Sequence, residues 1–136
     1  ENYKPDIIVN LRATSPLRTS KIIDEAITRF LNSKLEVLRT VSLVEGVHHP
    51  YWMYKVDKKG HGSNFIQNLN LKKYYRSQLL PAAYRINGMI DIYSYNAVLN
   101  KNILTEKIDT FITSEEISID IDTNLEFQYC NHILSK

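Results

Sequence analysis

The sequence predicts an α/β domain: part of a mostly parallel sheet with flanking helices and a protruding β-hairpin. Three observations carry that expectation. The run Ile7-Ile8-Val9-Asn10-Leu11 is short, apolar and largely β-branched, the pattern of a strand buried on both faces. Apolar residues at helical spacing follow it, then a second β-branched run. Strand, helix, strand is the βαβ order of α/β folds, with a right-handed crossover expected. An aromatic, extended stretch then breaks the pattern over residues 48–80.

The elements follow in order. Ile22, Ile23, Ala26, Ile27, Phe30 and Leu31 recur at helical spacing between polar residues. The spacing predicts an amphipathic helix over 20–32, with Thr19 or Ser20 as its cap. Val41, Leu43 and Val44 place the second strand at 39–44. The segment from His48 through Tyr51, Trp52, Met53 and Tyr54 reads as the outgoing arm of a hairpin, Asp57-Lys58-Lys59-Gly60 as its turn, and 65–71 as its return. Residues 79–88 read as a loop, 89–93 as a strand, 95–99 as a short helix and 108–112 as another strand. Residues 117–122 alternate with period two. Thr123-Asn124-Leu125-Glu126 is a capping-box pattern that opens a final helix.

Composition narrows the function classes. The chain of 136 residues has the length of one ordinary domain. Lys plus Arg is 17 and Asp plus Glu is 15, a net +2 that gives no electrostatic case for nucleic acid. One cysteine, Cys130, makes no internal disulfide and is expected to pack rather than react. No apolar run approaches the roughly 18 residues of a membrane span. The first residues lack the apolar core of a signal peptide, so a soluble cytoplasmic protein is expected. The start without Met, so near a buried strand, hints at an upstream segment.

Chemistry-bearing residues fall in three places. Asp120 and Asp122 are separated by one isoleucine, and on a strand they would point to the same side. Two such carboxylates repel unless a proton or cation lies between them, and hard oxygen ligands suit Mg²⁺ or Ca²⁺. The alternative is ordinary acidic capping of the helix that follows. Thr14-Ser15-Pro16-Leu17-Arg18 joins a strand to a helix, where hydroxyls, amides and Arg18 could cradle an anion, or simply cap the turn. In Tyr84-Arg85-Ile86-Asn87-Gly88, Arg85 is suited to bidentate capture of a carboxylate or phosphate, and equally to a surface turn. His48 and His49 point opposite ways in an extended chain, so zinc is not expected.

Four segments in this order, Thr14-Ser15-Pro16-Leu17-Arg18, His48-His49-Pro50, Leu80-Pro81 with Tyr84 to Gly88, and Ser118-Ile119-Asp120-Ile121-Asp122-Thr123, resemble the acylneuraminate cytidylyltransferases. The resemblance runs from Asp6 to the C-terminus. It implies a Rossmann-like nucleotidyltransferase sheet and transfer of CMP from CTP to the anomeric hydroxyl of a sialic or other nonulosonic acid, with pyrophosphate released. It implies Mg²⁺ held by Asp120 and Asp122, which are also the catalytic pair. Arg85 and Asn87 are implied to bind the acidic sugar. Arg12, Thr14, Ser15 and Arg18 are expected to line the substrate, as are Arg76 and Gln78. Arg12-Ala13 stands where many members have Gln-Pro, Asp91 where members often have Tyr, and Ser77, next to Arg76, where they have Arg. The hairpin is implied to build a homodimer. The family's basic, glycine-containing CTP loop has no counterpart here, so the resemblance places this chain as the C-terminal portion of the enzyme. The next expectation is a non-catalytic sugar-binding and dimerisation portion, and the last a different nucleotidyltransferase acting on a related keto-sugar acid, such as the eight-carbon sugar of lipopolysaccharide, whose family motifs differ from those quoted.

Overall fold

The structure, a computed structural model, describes residues 3–136. In chain order its elements are β1 (Ile7–Leu11), α1 (Ser20–Leu31), β2 (Val37–Leu43), β3 (Tyr54–Val56), β4 (Gly62–Asn64), β5 (Tyr84–Ser94), α2 (Tyr95–Leu99), β6 (Asp109–Ile112) and α3 (Asn124–Leu134). The chain divides into two compact units, Glu1–Ser42 with Ile86–Lys136, and Leu43–Arg85.

The first unit carries a four-stranded sheet in the order β1-β5-β2-β6. β6 is parallel to β2, and β1 is antiparallel to β5 with Val9 opposite Ile92. Glu36 pairs with Ser94, Thr40 with Ile90 and Ser42 with Asn87, so β5 also runs antiparallel to β2. The sheet is therefore mixed, α/β in class but not the mostly parallel, Rossmann-like sheet expected. β1-α1-β2 is the expected βαβ order, with β5 inserted between its two strands. The sequence run 89–93 signals this strand, but its direction is not written in an apolar pattern.

α1 forms where the apolar spacing predicts it. Thr19 is extended and its hydroxyl accepts from Ile22 N at 3.4 Å. Its apolar stripe packs Ala26 and Phe30 against Leu38, Met89, Ile90 and Ile92, with Ile22, Ile23 and Ile27 at the margin. Thr40 is the polar exception in this core. Its hydroxyl donates to Ile90 O at 3.1 Å and accepts from Ile90 N at 3.0 Å, so the buried hydroxyl is itself fully paired.

The second unit holds the β3–β4 hairpin, with Tyr54 opposite Asn64. Asp57 Oδ1 accepts from Lys59 N and His61 N, and Gly60 sits at φ +84°, which closes the turn early. The return strand is therefore 62–64, not 65–71. Beside it, His49 is buried. Its Nδ1 accepts from Tyr51 N and its Nε2 lies 3.0 Å from Pro81 O, so the pair assigns the Nε2–H tautomer. Tyr51 stacks edge-on against both His49 and Tyr74, and Trp52 Nε1 donates to Tyr74 O at 2.7 Å. These are structural histidine and aromatic roles.

Three further boundaries differ from the sequence reading. β2 is 37–43 rather than 39–44. β5 begins at Tyr84, inside the expected loop; it is exposed over 84–86 and buried over 87–92, so sheet pairing overrides the turn character of Asn87-Gly88. Residues 117–122 form no strand. A 3₁₀ turn over Glu115–Ile117 precedes irregular chain, because Ser118 donates to Ser114 O at 2.6 Å and ties the backbone into a local turn. The short helix at 95–99 and the capping-box helix α3 both form, the latter with Thr123 and Glu126 bonded reciprocally.

Arg29, in the last turn of α1, grips the buried Asp109 of β6 through three contacts of 2.7, 3.0 and 3.2 Å. That hydrogen bonding holds the Asp109 carboxyl below the usual carboxylate range. A folded value below the unfolded one stabilises the fold above about pH 4, and the contribution is lost as pH falls through the folded value. Arg29→Ala is expected to melt a few degrees below wild type at pH 7. Melts followed from pH 7 downward should show the two curves converging below about pH 4.

Candidate active site

The site is built where the loop after β1 meets the segment before α3. Arg18 fixes the first of these: its Nη1 donates to Arg12 O at 3.1 Å and to Met89 O at 2.9 Å, pinning the loop to β5. Thr14 O accepts from Ile121 N at 2.8 Å, which ties the two segments together through backbone. Ser15 is buried, and its Oγ has no hydrogen-bond partner. These three residues came from the Thr-Ser-Pro-Leu-Arg turn; Thr14 acts through its backbone carbonyl, and the Arg18 guanidinium is spent on backbone carbonyls of the protein itself.

Arg12 Nη1 reaches Asp120 Oδ2 at 3.2 Å. The guanidinium lies over Gly88, whose φ is +71°. A Cβ there would stand 2.5 Å from Arg12 Cζ and 2.7 Å from its Nε and Nη1. The left-handed backbone at Gly88 favours glycine, and an added Cβ would displace the Arg12 guanidinium from this position. Asp120 Oδ1 is buried with no partner.

Asp122 is exposed, and its N donates to Asp120 O at 3.1 Å in a tight turn. The strand argument for presenting both carboxylates on one side therefore does not apply. The turn places both ahead of α3 instead. Asp122 N and the Thr123 N and Oγ1 all donate to Glu126 Oε2 at 2.7–3.0 Å. Those bonds, the Thr123 hydroxyl's first, hold the Glu126 carboxyl below the usual range, so it is a fixed anion at the helix start.

Asn87 takes a different part from the sugar contact the resemblance implied. It is buried, and its Nδ2 donates to Ser42 Oγ at 2.8 Å and to Thr113 Oγ1 at 2.7 Å, while its Oδ1 accepts from Met89 N. Thr113 in turn bonds Ser118 at 2.7 Å. Both amide hydrogens of Asn87 are used inside the protein. The residue joins β2, β5 and the end of β6 to Ser118, two residues before Asp120. Ser42, Thr113 and Ser118 were missed from sequence, since isolated hydroxyls carry no spacing signal.

Arg76, Gln78 and Arg85 belong to the second unit. Arg85 is exposed on β5, and Arg76 lies over the Tyr75 ring at 5.1 Å. Gln78 lines an open groove of about 690 Å³ with Val44, Val47, Leu80 and Pro81. Cys130 is buried on α3, and burial pushes its thiol above the usual range.

Among the described residues, no group of three His, Cys, Asp or Glu side chains could hold a metal ion. The Asp120 donor set fits a different kind of site. Mg²⁺ commonly takes one or two protein carboxylates and completes its shell with water and substrate phosphates. The unpartnered Asp120 Oδ1 suits that role.

No protein-family model matches the chain. It is 33% identical over 120 residues to an N-acylneuraminate cytidylyltransferase of Streptococcus agalactiae serotype III, across 88% of this chain and 28% of that protein. It is 24% identical over 132 residues to post-translational flagellin modification protein B of Campylobacter coli, across 96% of this chain and 54% of that one. In structure it resembles a CMP:2-keto-3-deoxy-manno-octonic acid synthetase complexed with CTP, with a TM-score of 0.62 at 14% identity, covering 98% of this chain and 63% of that one. That likeness concerns the fold. The chain thus spans about a quarter of the length of the streptococcal relatives.

Gly88→Ala is expected to lower stability by about 1–2 kcal/mol through the left-handed backbone alone. It should also push the Arg12 guanidinium off Asp120. Chemical denaturation measures the first effect, and the side-chain NMR signal of Arg12 reports the second.

Proposed function

We propose that this chain, a homologue of the N-acylneuraminate cytidylyltransferase family over 88% of its length, serves in transferring CMP from CTP to the anomeric hydroxyl of a nonulosonic acid, with release of pyrophosphate. The observation that carries the reading is the convergence at one place of three of the resembling segments: the Thr14 turn, the Asn87-Gly88 bend and the Asp120 turn. They lie far apart in sequence, and a fold that gathers them supports a shared role.

In this reading Arg12 supplies positive charge beside the incoming acidic sugar, in the manner suited to a guanidinium facing a carboxylate. Asp120 and Asp122 supply the oxygen ligands for Mg²⁺, which when bound offsets triphosphate charge and eases the departure of pyrophosphate. Thr14 and Ile121 hold these charges at fixed distance. Asn87, Thr113 and Ser118 support the turn from beneath. The hairpin exposes Met53, Tyr54, Val56 and Phe65, an apolar surface that supports the homodimer. No helix among the described residues is long and apolar enough to cross a membrane, and the reading places the protein in the cytoplasm.

A second reading is favoured by one observation: the turn between β1 and α1 contains no glycine, so it is not a phosphate-cradling glycine loop. Here the segment binds sugar and partner but not nucleotide. Calorimetric titration of this chain with CTP–Mg²⁺ and, separately, with N-acetylneuraminic acid distinguishes the two. Sugar binding without CTP binding supports the second reading for the isolated chain.

In the complete enzyme, Asp120→Asn is expected to lower kcat by on the order of 100-fold, the usual cost of losing one preorganised electrostatic contact to the transition state. Pyrophosphate release measures it. Unchanged kcat with unchanged Mg²⁺ dependence would remove Asp120 from the chemistry.

A further inference from the structure

The Arg12–Asp120 ion pair is oddly built for a structural contact. Its side chains are 47% and 26% exposed, a setting in which an ion pair adds little to stability. Yet the local backbone is shaped around it. Gly88 leaves bare the surface on which the guanidinium lies, and a side chain there would displace it. The root of Arg12 is pinned, because Arg18 holds its carbonyl. The turn bearing Asp120 is pinned by the Ile121–Thr14 hydrogen bond. Only the long Arg12 side chain between these anchors is free to swing without disturbing backbone.

The carboxylate is also only half served. Oδ2 has the guanidinium, whereas Oδ1 is buried and has no partner. A buried unpartnered carboxylate oxygen is costly, and a guanidinium able to bind both oxygens in a fork binds one. The geometry leaves a coordination position on the same carboxylate that Arg12 already neutralises. A divalent cation arriving there meets a positive charge a few ångströms away, which repels it.

From this we propose that Arg12 is a placeholder cation. It neutralises Asp120 in the substrate-free protein and competes with the divalent ion for that carboxylate. It leaves when an anionic group, a carboxylate or phosphate of the substrate, draws the guanidinium away. Arg12 thereby couples arrival of the acidic substrate to exposure of the metal ligand, and acts as a positioning residue through Asp120. The proposal rests on the reading of Asp120 as a metal ligand.

The test uses Mn²⁺ as a paramagnetic stand-in for Mg²⁺ and the amide NMR spectrum of this chain. In the wild type, millimolar Mn²⁺ is expected to broaden the amides of Ile119 to Thr123, and Asp120→Asn abolishes that broadening. In Arg12→Gln the Mn²⁺ concentration for half-broadening is expected to fall about three- to ten-fold, the scale of one nearby charge at a partly exposed site. Adding N-acetylneuraminic acid is expected to sharpen the Mn²⁺ affinity of the wild type and leave that of Arg12→Gln unchanged. Equal Mn²⁺ affinity in wild type and Arg12→Gln overturns the placeholder while leaving Asp120 a metal ligand. Absence of broadening at these amides in both proteins, with Mn²⁺ bound elsewhere, overturns the metal reading and the placeholder together.

Discussion

A single backbone hydrogen bond, Ile121 N to Thr14 O at 2.8 Å, holds the candidate site together. It joins the turn after the first strand to the turn before the last helix. Arg12 and Asp120, 108 residues apart in sequence, meet because of it. Closing so long a loop carries a chain-entropy cost that one hydrogen bond does not offset. The apolar packing of α1 against β5 and β2 supplies that stabilisation, and Arg18 transmits it by clasping Met89 O on the central strand. The core therefore bears on function directly: it fixes the two turns whose side chains carry the charge.

The buried polar chain from Ser42 through Asn87 and Thr113 to Ser118 acts in the same direction. Every member sits where burial without a partner would be destabilising, and each finds one. Such a network has little tolerance for alternative arrangements, so it specifies where Ser118, and hence the turn to Asp120, must lie. Asn87 matters to the site through this support. An asparagine next to a glycine reads from sequence as a turn or a ligand, and the structure gives it a third use.

Much of the fold was legible in the sequence because it was written as periodicity. Ile22 through Phe30 spell a helix face, Ile7 through Leu11 a strand, and Thr123 with Glu126 a helix start, and all three form. The strand, however, lies at the edge of the sheet, half-buried over Ile7 to Val9 and exposed at Asn10 and Leu11, rather than buried on both faces as expected, because only β5 pairs with it. What was not legible depended on long-range pairing. Nothing in Met89 to Tyr93 says that the strand runs antiparallel between β1 and β2. The alternation of Ile117, Ile119 and Ile121 suggested a strand, but the Ser118 hydroxyl captured the Ser114 carbonyl first. The candidate site was legible as residue types in order. Its geometry was not: the bare face of Gly88 beneath Arg12, and the backbone tie at Thr14, involve atoms every residue shares.

The central claim is that the Arg12, Gly88 and Asp120 segments form one site for an acidic sugar. Amide chemical-shift mapping of this chain during titration with N-acetylneuraminic acid tests it most directly. The account predicts saturable shifts that cluster at Arg12 to Ser15, at Gly88 and at Asp120 to Thr123 with one common affinity. Shifts confined to one of these segments, or scattered over the helix surface of α1 with none at the Arg12–Asp120 pair, would contradict it.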